Sequence, residues 1–346
     1  MRIKQTHLGA RSGHGEVALL EEIRERAAHR GRSGGLRLGI GDDCALLAPR
    51  KGEELAVTTD LSIAGRHFRL DWHQPEAVGH RALTRGLSDL AAMGARPVAA
   101  FLSLGLPRSL TVASSRRRSW VQRFLDGLLA LAEAHSTPLA GGDLAESPVA
   151  VADIVLIGAV RRGCALLRSG AKPGDLLYVT GTLGGAAAGL DRLGEVAEAR
   201  LGRSNPPRIP TSLGAQLAAH LYPQPRISQG LWLQRRGVAT AALDVSDGLS
   251  TDLAHLCEES GVAAEVDAAL VPLGLGADLA QALDGGEDYE LLFTASATTK
   301  MPRSIRGVAV ARIGRIVKAR AGKAAITLMT PQGARPLEAR GWEHFS

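Results

Sequence analysis

Five groups of aspartates in this chain stand at strand ends, helix ends and glycine turns, and those around Asp89 and Asp244 are hardest to explain as solvated surface. Asp42 and Asp43 close the segment Gly39-Ile40-Gly41-Asp42-Asp43, and Asp60 follows Thr58 and Thr59 at the end of an apolar run. Asp89, in Gly86-Leu87-Ser88-Asp89, has apolar neighbours Leu90, Ala91 and Met93 and falls in the last turns of an expected helix, where the helix dipole disfavours negative charge. Asp143 follows Gly141 and Gly142, which allow a phosphate to approach the backbone closely. Asp244, Asp247 and Asp252 crowd into one short stretch, and like charges so close repel unless a cation binds. Singly, Asp42 and Asp43 suit a turn, Asp60 a strand end and Asp247 a helix N-cap. Together they suit a cleft that holds several Mg2+ ions through oxygen ligands.

Standard phosphate-binding signatures are missing. There is no G-x-x-x-x-G-K-[ST] segment, and Gly39-Ile40-Gly41 runs into acids instead of the third glycine of a dinucleotide fingerprint. A phosphorylated ligand would therefore be held through Mg2+, which bridges phosphate oxygens that carboxylates alone repel.

These acids must be positioned by alternating strands and helices. Val17, Leu20, Ile23 and Ala27 predict a helix from Gly15 to about Arg30. Leu55 to Thr59 reads as a strand, Pro75 to Gly94 as a helix and Val98 to Leu104 as a strand. Val121, Phe124, Leu125, Leu128 and Ala132 form one stripe of a helix over Trp120 to Ala134. Val149 to Val160 is almost wholly apolar and reads as a strand buried on both faces. After the turn-rich Gly170 to Gly174 come a strand over Asp175 to Thr180, a helix from Leu183, and loops at Asn205 to Pro210 and Tyr222 to Pro225. A strand over Val238 to Leu243, a helix over Ser250 to Ser260, a turn at Asp284 to Asp288 and a strand over Tyr289 to Phe293 complete the pattern. The expected fold is α+β (mixed α/β), in two domains at 1–160 and 161–346, since one core does not serve 346 residues.

Composition narrows the function. Apolar residues make 45% of the chain and aromatics only 3%, so the cores must be Ala, Leu and Val, and a functional aromatic such as Trp342 is conspicuous. The net charge of +6 comes from scattered arginines, apart from Arg116, Arg117 and Arg118, with no aromatics interleaved for base stacking. No nucleic-acid partner is expected. Cys44, Cys164 and Cys257 are odd in number and far apart, which argues against disulfides or zinc and for a reducing cytoplasm. No run of eighteen apolar residues or signal-peptide pattern is present, so no membrane partner is expected.

In this order, the motifs resemble those of the thiamine-monophosphate kinase family, within the aminoimidazole ribonucleotide synthetase superfamily. The likeness runs through Gly39-Ile-Gly-Asp-Asp43, Thr58-Thr-Asp60, Gly65-Arg-His-Phe68, Leu87 to Ala95, Gly141-Gly-Asp143, Arg168 to Asp175, Asp244-Val-Ser-Asp-Gly248 and Gly285-Gly-Glu-Asp-Tyr-Glu290 to Gly341-Trp342. The resemblance implies transfer of the ATP γ-phosphoryl group to thiamine monophosphate, giving thiamine diphosphate and ADP. It implies Asp43, Thr58, Thr59, Asp60, Asp89, Asp143, Asp244 and Asp247 as Mg2+ ligands, with Asp43, Asp60, Asp89, Asp143, Asp244 and Asp247 carrying the catalysis. It further implies Gly142, Asp143, Arg168 and Ser246 as ATP contacts and His67, Glu287 and Trp342 as contacts to thiamine monophosphate. It also implies an N-terminal ATP- and Mg2+-binding domain whose sheets pair in a homodimer, and a C-terminal domain that completes the cleft.

Outside that company, His67 would be an ordinary half-buried histidine, Trp342 a pin for the C-terminal tail and Arg168 a surface residue. The family commonly has Asn where this chain has Gly86, and Thr where it has Leu144 and Ala145, so donors to phosphate are lost. Two other readings follow: a sister reaction of selenophosphate or aminoimidazole ribonucleotide synthetase type, or a nucleotide-binding protein with impaired catalysis. No N-terminal Cys/Lys loop of the selenophosphate type is present.

Overall fold

The computed structural model describes residues 16–28, 34–113, 118–199, 206, 207, 209, 211–322 and 325–342. The first half contains α1 (Glu16–Ala28), β1 (Leu36–Leu38), β2 (Leu46–Leu47), β3 (Glu53–Ile63), α2 (Pro75–Ala92), β4 (Arg96–Leu106), α3 (Trp120–Ala134), β5 (Leu139–Glu146) and β6 (Val151–Arg161). The second contains β7 (Leu176–Thr180), α4 (Gly185–Glu198), α5 (Gly214–Leu221), α6 (Ile227–Arg236), β8 (Ala241–Val245), α7 (Leu249–Ser260), β9 (Val262–Asp267), α8 (Leu279–Asp284), β10 (Glu290–Ala295), β11 (Ser304–Ile305), β12 (Val308–Lys318), β13 (Ile326–Thr330) and β14 (Gly333–Pro336). β3, β6, β4 and β5 pair in that order in one sheet, and β14, β13, β9, β12, β7, β10 and β8 in another, with β11 on β12.

Helix α2 lies between the two sheets and touches β3, β4 and β6 on one side and β8 and β10 on the other. It starts on Pro75, whose fixed φ suits the first helical position, and stops before Gly94, which takes φ 62°. Its neighbour α3 is fixed at the start by a capping box between Ser119 and Gln122. The two helices cross at backbone contact. A Cβ on Gly79 would sit 1.9 Å from the Phe124 carbonyl oxygen, and one on Gly127 would sit 1.8 Å from that of Glu76. Leu83, Leu87, Leu90, Phe124, Leu125 and Leu128 are fully buried there, in a core that continues to Tyr178 and Phe293 of the second sheet. Each such Leu contributes about 1.5–3 kcal/mol through burial.

Some sequence expectations change. β5 and the helices α5 and α6 were not foreseen, nor were β9 and β12–β14, because short runs rich in Gly, Ala and Arg carry little periodicity. The strand expected over Val149 to Val160 runs Val151–Arg161 and alternates between buried and half-buried residues, so only one face lies against the core. The ends of the first expected helix, the loop at Asn205 to Pro210 except 206, 207 and 209, and Arg116 and Arg117 lie outside the described residues.

Candidate active site

The cleft is organised by one stripe of α2. Arg81, Arg85 and Asp89 are spaced by four residues, so they project from one helical face. β3 faces this stripe. Successive strand residues point to opposite sides, and the burial pattern puts Thr58 and Asp60 inward and Leu55, Val57, Thr59 and Leu61 outward. The third wall is the end of β8 with the loops that follow β8 and α8. Together they enclose a cavity of about 660 Å³ whose lining includes Asp60, His67, Arg85, Asp89, Asp244, Ser246, Asp247, Glu287 and Trp342.

A row of acids forms its floor. The Thr58 hydroxyl donates to Asp89 Oδ2, and the Ser88 hydroxyl donates to Asp244 Oδ2 at 2.5 Å. Burial, then the charge of Asp89, pushes the pKa of Asp60 up to about 6 despite the nearby Arg85 guanidinium. Burial likewise raises Asp89, and burial followed by the Asp89 charge holds Asp244 well above the carboxylate range. Asp60 Oδ2 is buried without a hydrogen-bond partner. Mutually repelling, half-satisfied carboxylate oxygens are suited to a hard cation. Among the described residues no three metal-binding side chains converge on one point, so an ion held here would complete its shell with water or ligand oxygens.

The opposite wall centres on Glu287. Its backbone is left-handed, with φ 66°, and that of Tyr289 has φ 52°, a conformation costing about 1–2 kcal/mol outside glycine. Strand-like bonds hold it there: the Glu287 N–H donates to the Ser246 carbonyl at 2.7 Å and the Tyr289 N–H to that of Val245 at 2.9 Å. Asp288 accepts from the N–H groups of Gly184 and Ala186 at 2.6 and 3.1 Å, at the start of α4. Arg81 Nη2 donates to Glu287 Oε1 and Oε2 at 2.6 and 2.5 Å. Burial opposes ionisation of Glu287, yet Arg81 and then Arg85 outweigh it and lower its pKa.

Beneath this pair, Arg81 Nη1 lies 3.0 Å from His220 Nε2, which lies 2.9 Å from His73 Nε2. Because a guanidinium only donates, His220 Nε2 accepts from Arg81, while His73 Nδ1 lies 3.1 Å from the Arg69 nitrogen and 3.2 Å from its carbonyl oxygen. His220 Nδ1 is left buried, 3.7 Å from Glu287 Oε2.

Around the loop after β8, Asp252 Oδ2 accepts from the N–H groups of Ser246, Asp247 and Gly248 at 3.0, 3.0 and 3.1 Å. This acid shapes the loop. Gly248, not Asp247, occupies the N-cap of α7, which leaves Asp247 on the cleft wall. The Trp342 N–H donates to the Asp247 carbonyl at 3.0 Å, and the residue is 51% exposed at the mouth.

Asp43, Gly142 and Asp143 line a second cavity of about 640 Å³, walled by Leu20, Ile23, Ile40, Phe101 and Leu139. Strand register links it to the first. Asp60 pairs with Ile154, Ile154 with Leu102, and Leu102 with Gly142, three strand steps or roughly 14 Å. Gly142 must be glycine, because at φ 149° a Cβ would fall 1.8 Å from the Leu102 carbonyl oxygen. Asp42 Oδ1 accepts from the Asp43 N–H at 3.0 Å, as a turn residue does. Thr59 has its side chain on the outer face of β3, and Arg168 is exposed after β6, its charge favouring ionisation of Asp89. Sequence reasoning passed over Arg81, Arg85, His73 and His220. The spacing of Arg81 and Arg85 from Asp89 carried a signal, whereas His220 sits in a helix that no periodicity announced.

Residues 41–163 match the family of AIR synthase related protein, N-terminal domain, and residues 172–326 that of AIR synthase related protein, C-terminal domain. The thiamine-monophosphate kinase of Salmonella typhimurium is 41% identical over 284 residues, 80% of this chain and 81% of that protein. The crystal structure of thiamine-monophosphate kinase from Stenotrophomonas maltophilia K279a is 38% identical with a TM-score of 0.74, covering 91% of this chain and 96% of that one. AaThiL complexed with AMPPCP and TMP is 30% identical with a TM-score of 0.71, covering 98% of this chain and all of the other, 100%. With such identity over most of both chains, and both halves matched in order, this chain belongs to the thiamine-monophosphate kinase family.

Proposed function

We propose that the chain is a kinase that transfers the ATP γ-phosphoryl group to the phosphate of thiamine monophosphate, releasing thiamine diphosphate and ADP. The observation that carries this reading is one cleft that joins the acid floor of Asp60, Asp89, Asp244 and Asp247 to a wall bearing His67, Glu287 and Trp342. The acceptor phosphate is already largely ionised near neutral pH, so the rate depends on positioning and charge neutralisation more than on proton transfer. Glu287, ionised and pinned by Arg81, faces the cationic or amino-bearing end of the substrate, and Trp342 offers a ring face at the mouth.

ATP is assigned to the space between the two cavities, with Gly142 and Asp143 beside one end and Ser246 and Arg168 towards the other. Mg2+ would be held by Asp60, Asp89, Asp244 and Asp247 in the first cavity, with Thr58 on Asp89, and by Asp43 and Asp143 in the second, whereas the Thr59 side chain lies on the outer face of β3. When bound, the ion would neutralise charge on the transferring phosphoryl group. We place the domain boundary at 160/161. A second copy would cover the outer face of β3, where Leu55, Val57 and Leu61 are 42%, 60% and 45% exposed. No described helix is long and apolar enough to cross a membrane, and three separated free cysteines suit the cytoplasm.

The direct test is incubation of the purified protein with ATP, Mg2+ and thiamine monophosphate, followed by chromatography. Equimolar thiamine diphosphate and ADP are expected. ADP without thiamine diphosphate, or neither product with an ATP analogue still bound, would sink the assignment.

A further inference from the structure

We infer that Arg85 is an additional phosphate-binding side chain of this cleft, placed to clamp a phosphate of the reacting pair between the acid floor and Glu287. The inference rests on the kinase reading for the identity of the phosphate.

Arg85 projects from the middle of the α2 stripe into the 660 Å³ cavity, with its side chain 20% exposed. Its donors are largely unspent. Nε reaches Asp60 Oδ1 at 3.4 Å, and Nη1 is 3.9 Å from Glu287 Oε1, beyond hydrogen-bond range. Arg81, one turn earlier, contrasts with it: its nitrogens are taken by Glu287, His220 and the His67 carbonyl. A guanidinium presents five donors in a rigid fork that matches a phosphate bidentately. Arg85 thus brings a fixed positive charge and open N–H groups to a cavity that is otherwise acidic on its floor. A purely structural arginine at this depth would have its fork closed by a carboxylate, as Arg226 does with Glu290 at 2.6 and 2.5 Å.

The neighbouring position explains why the donor comes from residue 85. A Cβ on Gly86 would lie 2.6 Å from Leu156 Cδ1 and 3.5 Å from Thr58 Cγ2, so in this packing a side chain there would require the Leu156 methyl to shift. Gly86 keeps α2 close to β3 and β6, and the polar reach into the cleft passes to Arg85. Asp60 holds the stem's orientation from one side and the Glu287 charge from the other.

The test compares Arg85→Met, which keeps stem volume, and Arg85→Lys, which keeps charge but loses the fork, by calorimetric titration. Four probes are used with Mg2+ present: thiamine monophosphate, unphosphorylated thiamine, a non-hydrolysable ATP analogue and ADP. Arg85→Met is expected to bind thiamine monophosphate about ten- to a hundredfold more weakly while thiamine binding is unchanged, with Arg85→Lys between. That result assigns the acceptor phosphate. Selective loss of the ATP analogue over ADP assigns the donor phosphate instead and still supports the clamp. Unchanged affinity for every probe overturns the inference, and so does equal weakening of thiamine and its monophosphate, which a merely structural role would give. A wild-type protein that discriminates thiamine monophosphate from thiamine yet makes no thiamine diphosphate would sink the kinase reading and leave the clamp standing.

Discussion

Arg81 and Glu287 lie 206 residues apart in the chain, yet one guanidinium nitrogen of the first donates to both carboxylate oxygens of the second, at 2.6 and 2.5 Å. Arg81 comes from the helix between the sheets and Glu287 from a strained loop of the second half. Their pairing brings the two halves together at the cleft wall. Because the Arg81 side chain is only 7% exposed, the pair is costly to break from one side.

Arg81→Met should therefore destabilise the protein by up to about 3–5 kcal/mol, since it leaves the Glu287 carboxylate with only the more distant Arg85 charge. Arg81→Met with Glu287→Gln should recover part of that loss. Urea denaturation of the two single variants and the double variant reads the coupling, and strictly additive losses would mean that the contact contributes nothing of its own.

Asp89→Asn should lower kcat by about two orders of magnitude or more if Asp89 holds Mg2+. The melting temperature should stay constant or rise, because removing one charge relieves the repulsion with Asp60 and Asp244. Steady-state kinetics with a thermal melt decide this, and near-wild-type turnover would take Asp89 out of the site.

His73 and His220 are buried neutral. Burial first, then the Arg81 charge, brings His73 down to about 3 and His220 well below its ordinary value. With folded pKa values depressed from 6.5, the unfolded chain binds more protons between those limits, so this contribution to stability is present above pH 6.5 and is lost as pH falls towards 3. Arg81, Glu287, Asp71 and Arg69 also face the pair. The difference in unfolding free energy between wild type and His73→Gln, measured from pH 7 to pH 4.5, should shrink as pH falls. A difference independent of pH would show that His73 is not held neutral.

Trp342→Ala should raise KM for thiamine monophosphate several-fold and leave ATP affinity intact. Stability should change little, since half the side chain is already exposed and the residue is anchored to Asp247 through its backbone. Equal weakening of both substrates would count against a ring contact at the cleft mouth.

Helix α3 was legible residue for residue, because five apolar positions at helical spacing and a Ser/Gln capping pair define it locally. β5 was not. Gly141 and Gly142 carry no strand propensity of their own, and only pairing with β4 makes them a strand. Similarly, α5 and its His220 carried no periodic signal, so the histidine pair was invisible.

For the site, the sequence by itself determined which acids are on offer: aspartates beside Gly, Ser and Thr at the ends of elements, crowded enough to repel one another. It offered a turn for Asp42 and Asp43 alike, and Asp42 Oδ1 accepts from the Asp43 N–H as a turn residue does. Tertiary structure decided how those acids are grouped. Asp60, Asp89, Asp244 and Asp247 share one cavity with Glu287 and Trp342, whereas Asp43 and Asp143 share another, three strand steps across the sheet. Such grouping depends on strand register and on the backbone contact of α2 with α3, both of them long-range pairings that local residue patterns do not encode. For the same reason Arg81 and Arg85 became members of the site only once α2 was set between the sheets. Their partners Glu287 and Asp60 come from elements that folding, not sequence order, brings beside it.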